Sequence, residues 1–256
     1  MGISVPLIKQ TLLCCLAIVF LPASGSSGSA APQVVTEAMG FLRGKSQAPR
    51  WAPLSLLPIR SVTDVPKVKY YVANVDYSEN AYNVSLYMCN HRSPVGQVDL
   101  GCESVSVGMF GSFGVTLYSS SLAAKSALAH YIYDDCYDLK RGYAPSQVYI
   151  GSGVSGELWN DHKGGPILRW RRNGWRFAAC STGDPTGSDS VAEAKSLMML
   201  VERYPLPALS GYMVASRGAD NQNTRAAWLD DRAIVKTWAL VPSWGVPLAS
   251  AMSKWR

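Results

Sequence analysis

The stretch from Gly151 to Tyr204 constrains the fold most, because three local signals agree within it. Gly151-Ser152-Gly153-Val154-Ser155-Gly156 leads into two apolar runs, Ile167-Leu168-Arg169-Trp170 and Trp175-Arg176-Phe177-Ala178-Ala179, separated by Arg171-Arg172-Asn173-Gly174. Asn and Gly tolerate the positive φ of a tight hairpin, so the two runs are expected to pair antiparallel. A helix should follow Ser188-Asp189-Ser190, where Ser190 and Glu193 have the S-x-x-E spacing of a capping box. Val191, Ala194, Met198 and Val201, with Leu197 and Tyr204 beside them, fall on one face; Glu193, Ser196 and Arg203 face away, and Pro205 and Pro207 end the helix. The unit is strand, turn, strand, helix, and it contains no catalytic signature.

The same unit is echoed further on. Gly156, Trp170, the 171–174 turn, Phe177 and Ala194-Lys195-Ser196-Leu197 find counterparts in Gly211, Trp228, the 229–232 turn, Val235 and Ala249-Ser250-Ala251-Met252. In the second copy Val246-Pro247-Leu248 would open the helix, with Leu248, Met252 and Trp255 as its apolar stripe. The clearest period-two pattern lies earlier: Tyr71, Ala73, Val75 and Tyr77 share one face, Tyr82, Val84, Leu86 and Met88 another, and Ser78-Glu79-Asn80-Ala81 makes a hairpin between them. Further strands are expected at Cys102–Val107, Phe113–Tyr118, Gln147–Ile150, Gly156–Trp159, Gly211–Ser216, Thr224–Trp228 and Ala233–Leu240, with an Ala-rich helix over Ser121–Tyr133. The expected fold is α+β: a twisted antiparallel β-sheet with one or two helices packed on one face, built from two repeated strand-strand-helix units, 151–204 and 211–256.

The amino end reads as a secretory signal. Lys9 precedes an apolar run from Thr11 to Leu21, then Pro22 and small residues up to Ala30-Ala31, so cleavage is expected after Ala30. The rival reading, an uncleaved anchor helix, needs roughly 20 apolar residues and meets Pro22 first. Residues 31–50 carry Pro, Gly, Lys, Gln and Arg and read as a linker, with one domain over 51–256. Removing residues 1–30 takes away one lysine and no acid and leaves a net charge of +5. That modest surplus suits residence near an anionic cell wall or membrane surface and argues against a dedicated nucleic-acid binder. Charged residues make up 16% of the chain, below the usual quarter or so, as in secreted β-rich proteins. Four cysteines remain, Cys89, Cys102, Cys136 and Cys180, an even number that favours disulfides in an exported chain, with three possible connectivities. Cys89 ends one expected strand and Cys102 begins another, so Cys89–Cys102 with Cys136–Cys180 is the expected pairing. No C-x-x-C pair suggests zinc.

Leu56-Leu57-Pro58, the Gly153–Gly156 entry, Leu168-Arg169-Trp170 with Asn173-Gly174-Trp175, and the closing Ala-Ser pairs resemble an uncharacterised extracytoplasmic domain of Gram-positive envelope proteins, some of them anti-sigma-factor-like. The likeness spans about residues 50–255. It implies an extracytoplasmic location and a non-enzymatic role, and it carries no catalytic residues across. The chain departs from that pattern in lacking a transmembrane helix and in its four mature cysteines, which argues against a regulatory role.

Catalytic and cofactor patterns are sparse. His91, His130 and His162 never approach the H-x-x-x-H spacing of a metal site, Ser155 lacks the second glycine of a nucleophile elbow, and no helix-forming run follows the Gly151, Gly153 and Gly156 pattern to hold a dinucleotide. Asp134-Asp135-Cys136-Tyr137-Asp138 lacks calcium-loop spacing and reads as a solvated acidic turn. No cofactor is expected. A hydrolase with a site assembled from distant residues is the alternative to a binding module. One surface feature has a chemical rationale. Lys163, Arg169, Arg171, Arg172 and Arg176 surround Trp159, Trp170 and Trp175, and cations interleaved with aromatic rings suit an anionic cell-wall polymer or polysaccharide through ion pairing and stacking. Period two offers a plainer reading, in which Trp170 faces the core and Arg169 and Arg171 face solvent.

Overall fold

The computed structural model describes residues 31–56, 70–89, 91–97, 108–131, 144–161, 165–181, 183–184, 186–218 and 222–255. The secretory segment, the expected strand at 102–107, the acidic turn at 134–138, Cys102, Cys136, His162 and Lys163 lie outside these residues. Along the chain run α1 (Gln33–Phe41), β1 (Trp51–Pro53), β2 (Tyr70–Ser78), β3 (Ala81–Cys89), β4 (Met109–Leu117), α2 (Ser121–His130), β5 (Ser146–Gly151) and β6 (Val154–Asp161). They are followed by β7 (Gly165–Arg172), β8 (Trp175–Ser181), α3 (Ser188–Arg203), β9 (Gly211–Arg217), β10 (Gln222–Asp230), β11 (Ala233–Ala239), α4 (Pro242–Ala251) and β12 (Met252–Lys254).

Strands β2 to β11 form one ten-stranded sheet in the spatial order β2-β3-β4-β11-β10-β9-β8-β7-β6-β5, and β1 pairs with β12 in a separate ribbon. The alternating faces of β2 and β3 fix their register: Tyr71 lies opposite Met88, Ala73 opposite Leu86, Val75 opposite Val84 and Tyr77 opposite Tyr82. The 173–174 turn closes the β7–β8 hairpin with φ of 49° at Asn173 and 81° at Gly174, the pair of positive values that matches strand twist. The sheet is mixed, because β8 and β9 run parallel. A parallel neighbour needs a long return connection, and α3 supplies it.

The two units echoed in sequence fold in the same order, β6-β7-β8-α3 and β9-β10-β11-α4. Gly211 lies opposite Trp228, and Trp228 opposite Val235; in the other unit Trp170 lies opposite Phe177. Each glycine clears the space its tryptophan fills. A Cβ on Gly211 would come 2.6 Å from the Ala227 carbonyl oxygen and 2.8 Å from Trp228 Cβ, and one on Gly156 would come 2.8 Å from the Arg169 carbonyl oxygen and 3.4 Å from Trp170 Cβ. The two hairpins also turn on equivalent residues of positive φ, Asn173 and Asp231.

Helices α1, α3 and α4 cover one face of the sheet. A line of rings runs beneath them: Trp51 meets Trp228 at 5.9 Å, Trp228 meets Trp175 at 5.9 Å, and Phe177 joins Trp175 at 6.5 Å to Trp170 at 5.3 Å. The line crosses the parallel β8–β9 junction and so ties the two units into one core. Helix α2 packs on the opposite face, with Ala124 and Leu128 against Ala227 and Ile234.

Three local expectations are corrected. Residues 31–50 are no linker: Val34, Val35, Ala38 and Met39 of α1, followed by Leu42, are buried in the main core at the spacing of a helix face. Helix α4 begins at Pro242, a turn before the expected start, and holds Pro247 inside it. The Ser190–Glu193 capping box does not form. Asp184 closes the start of α3 instead, accepting hydrogen bonds from the Asp189 and Thr186 amides (both 2.8 Å) and from the hydroxyls of Thr186 (2.6 Å) and Ser188 (2.9 Å).

These bonds, led by the Thr186 hydroxyl, hold the Asp184 carboxyl well below its ordinary value of 3.8. A depressed carboxylate contributes stability above its unfolded value and loses it as pH falls toward the folded one. Thermal melts of wild type and Asp184→Asn should therefore differ at pH 7, and the gap should close as pH drops below about 4. A gap that does not change with pH would contradict this role.

Among the described residues no helix is long and apolar enough to cross a membrane. Cys89 and Cys180 are buried and disulfide-bonded. They cannot be bonded to each other, because β3 and β8 are five strand spacings apart in the sheet, about 24 Å at 4.8 Å per spacing.

Candidate anion-binding groove

The pleat divides the residues grouped in sequence. Trp170 and Trp175 point under the helices and are 4% and 3% exposed; the Trp170 indole N–H donates to Met198 Sδ (3.1 Å) and that of Trp175 to the Pro207 carbonyl oxygen (3.1 Å). They are core rings, and the interleaved cation–aromatic surface does not form around them. Arg172 turns toward α3 and donates to Glu202 Oε1 at 2.9 Å. The Ser152 hydroxyl and then Arg172 hold the Glu202 carboxyl below its usual range. Trp159 is half-buried on the face opposite the helices, beside Ile167, which places it away from the hairpin tip.

Arg169, Arg171 and Arg176 share that open face. Arg171 and Arg176 are both exposed and sit directly opposite each other across the β7–β8 pair. Like charges at directly opposed positions of an antiparallel pair repel. Arg176 donates to the Tyr212 hydroxyl oxygen at 3.0 Å and lies 5.3 Å from the centre of its ring, while Arg169 lies opposite Glu157 on β6. Among the described residues neither Arg171 nor Arg176 forms an ion pair with a carboxylate.

Two grooves meet at this arginine pair. One, of about 590 Å³, runs over Gln147, Ser155, Glu157 and Arg169 toward Tyr212. The other, of about 680 Å³, lies between the hairpin and α2 and brings in Lys125, Leu128 and Arg172 beside Arg171 and Arg176. Its described lining includes four cations and neither Asp nor Glu. Guanidinium forks can hold phosphate or carboxylate oxygens bidentately, and the Tyr212 ring lies beside Arg176.

Lys125 and Tyr212 escaped the sequence reading. Lys125 is one polar residue on an Ala-rich helix, and Tyr212 alternates on a strand 36 residues from Arg176; only the sheet order brings either one to the hairpin. His130 ends α2 with Nδ1 2.8 Å from the Ser126 carbonyl oxygen, an interaction within its own helix. No protein-family model, no curated protein and no solved structure matches the chain. What this face can do therefore follows from its charge and shape.

Proposed function

We propose that the protein is an exported, non-catalytic binding module of the cell envelope that docks onto an anionic wall polymer through the arginine face of the β7–β8 hairpin. The opposed Arg171–Arg176 pair carries the reading. Two cations set against each other on a groove whose described lining adds Lys125, with Arg172 at its edge already paired to Glu202, form an arrangement that a polyanion relieves. Open grooves on both sides of the pair suit an extended chain better than a single small ion. The sequence resemblance to an extracytoplasmic envelope domain points the same way. Co-sedimentation with isolated anionic cell-wall polymer should pull down the wild type and leave the Arg171→Glu/Arg176→Glu variant in solution. Equal sedimentation of the two would remove the hairpin from the reading.

Disulfides at Cys89 and Cys180 support an oxidising compartment. With Cys89–Cys180 excluded by the sheet, we infer Cys89–Cys102 and Cys136–Cys180. Peptide mapping of the unreduced protein should recover these two linked pairs; Cys89 linked to Cys136 would overturn the assignment.

A further inference from the structure

Glu193, read in sequence as half of a capping box, does something else in the fold. It is 6% exposed, on the side of α3 that meets α4, and Oε1 accepts from the Gln222 amide at 3.1 Å. The Ser190 hydroxyl goes to the Pro166 carbonyl oxygen instead, so Glu193 has no role at the helix start. A carboxylate this buried is ordinarily paired with a cation, yet among the described residues none reaches it.

The carboxyl lines a groove of about 420 Å³ shared with Ser196, Gln222, Ser243 and Trp244. Trp244 packs edge-on against Phe110 at 6.2 Å, which fixes the indole ring while it borders the groove. One carboxylate, one amide with a donor and an acceptor beyond its bond to Glu193, two hydroxyls and an indole therefore meet in one shallow concavity. An ammonium ligand would use only the carboxylate and the ring. A sugar uses all of them, because each hydroxyl both donates and accepts, and its C–H face lies against an aromatic plane.

We propose that the α3–α4 junction is a saccharide-binding subsite, with Glu193 and Gln222 holding neighbouring hydroxyls of one sugar unit and Trp244 supporting it. It lies on the helix-covered face of the sheet, away from the arginine groove, and does not depend on that groove's function.

Saturation-transfer NMR on the full mature chain, with disaccharides of glucose, galactose and N-acetylglucosamine and with choline chloride as separate probes, tests this. At least one disaccharide should give signal. Glu193→Gln, which keeps size and the bond to Gln222, should weaken it at least tenfold, as should Trp244→Leu, while Arg171→Glu/Arg176→Glu leaves it unchanged. Silence from every disaccharide, binding that survives Glu193→Gln, or signal from choline alone would overturn the proposal.

Discussion

Trp228→Ala is expected to cost about 3–5 kcal/mol in urea unfolding, the range for emptying a fully buried aromatic site. Trp228 is 0% exposed and touches both Trp51 and Trp175, so its removal opens a cavity at the joint between the two repeated units. Collapse into that cavity is restricted. The β9 backbone at Gly211 already lies against Trp228, since a Cβ there would fall 2.8 Å from Trp228 Cβ, and Trp51 is tied down by its indole bond to Asp230 Oδ2 at 2.9 Å and by backbone bonds to the Tyr82 hydroxyl at 2.7 Å. Trp228→Phe should cost much less. It keeps most of the ring volume and removes a buried indole N–H that has no hydrogen-bond partner among the described residues. Equal losses for the two variants would show that the ring line does not join the units.

Reversing charge in the arginine groove should separate stability from binding. Arg171→Glu alone places a carboxylate opposite Arg176 and replaces a repulsive cross-strand pair with an attractive one, a gain of about 0.2–1 kcal/mol. The same change should weaken binding to an anionic polymer, since it cancels the charge at the mouth of both grooves. A site kept for binding has this signature, in which the better-paired sheet is the poorer ligand surface. The Arg171→Glu/Arg176→Glu variant restores like-charge repulsion and should return stability to near the wild-type value while abolishing binding. Exposed substitutions of this kind usually stay within about ±0.5 kcal/mol.

The parts of the fold legible in sequence are those with strictly local causes. Period two in 71–77 and 82–88 fixed a face and a register, and Asn173-Gly174 fixed a hairpin. The repeated Gly, Trp and turn spacing led to an expectation of two strand-strand-helix units, where the fold places three strands before each helix. Sheet order was not legible: nothing in β4 or β11 announces that they are neighbours, and the parallel β8–β9 step depends on how α3 lies across the sheet. Helix α1 was hidden because Pro, Gly and charged residues around it mask five correctly spaced apolar positions. The candidate site was half legible for the same reason. Period two set Trp170 toward the core and Arg169 and Arg171 toward solvent, while the grouping of Trp170 and Trp175 with the arginines as one surface did not hold, and Lys125 and Tyr212 arrive through topology alone.

The most direct measurement is the affinity of the wild-type chain for purified anionic wall polymer as a function of salt, beside the same series for Arg171→Glu/Arg176→Glu. Neutralising several anionic groups releases counterions, so log affinity of the wild type should fall steeply and linearly with log salt. At low salt the double variant should bind at least tenfold more weakly, with a flatter slope. Wild-type affinity indifferent to salt, or two superimposable series, would contradict the assignment of this face as a polyanion site.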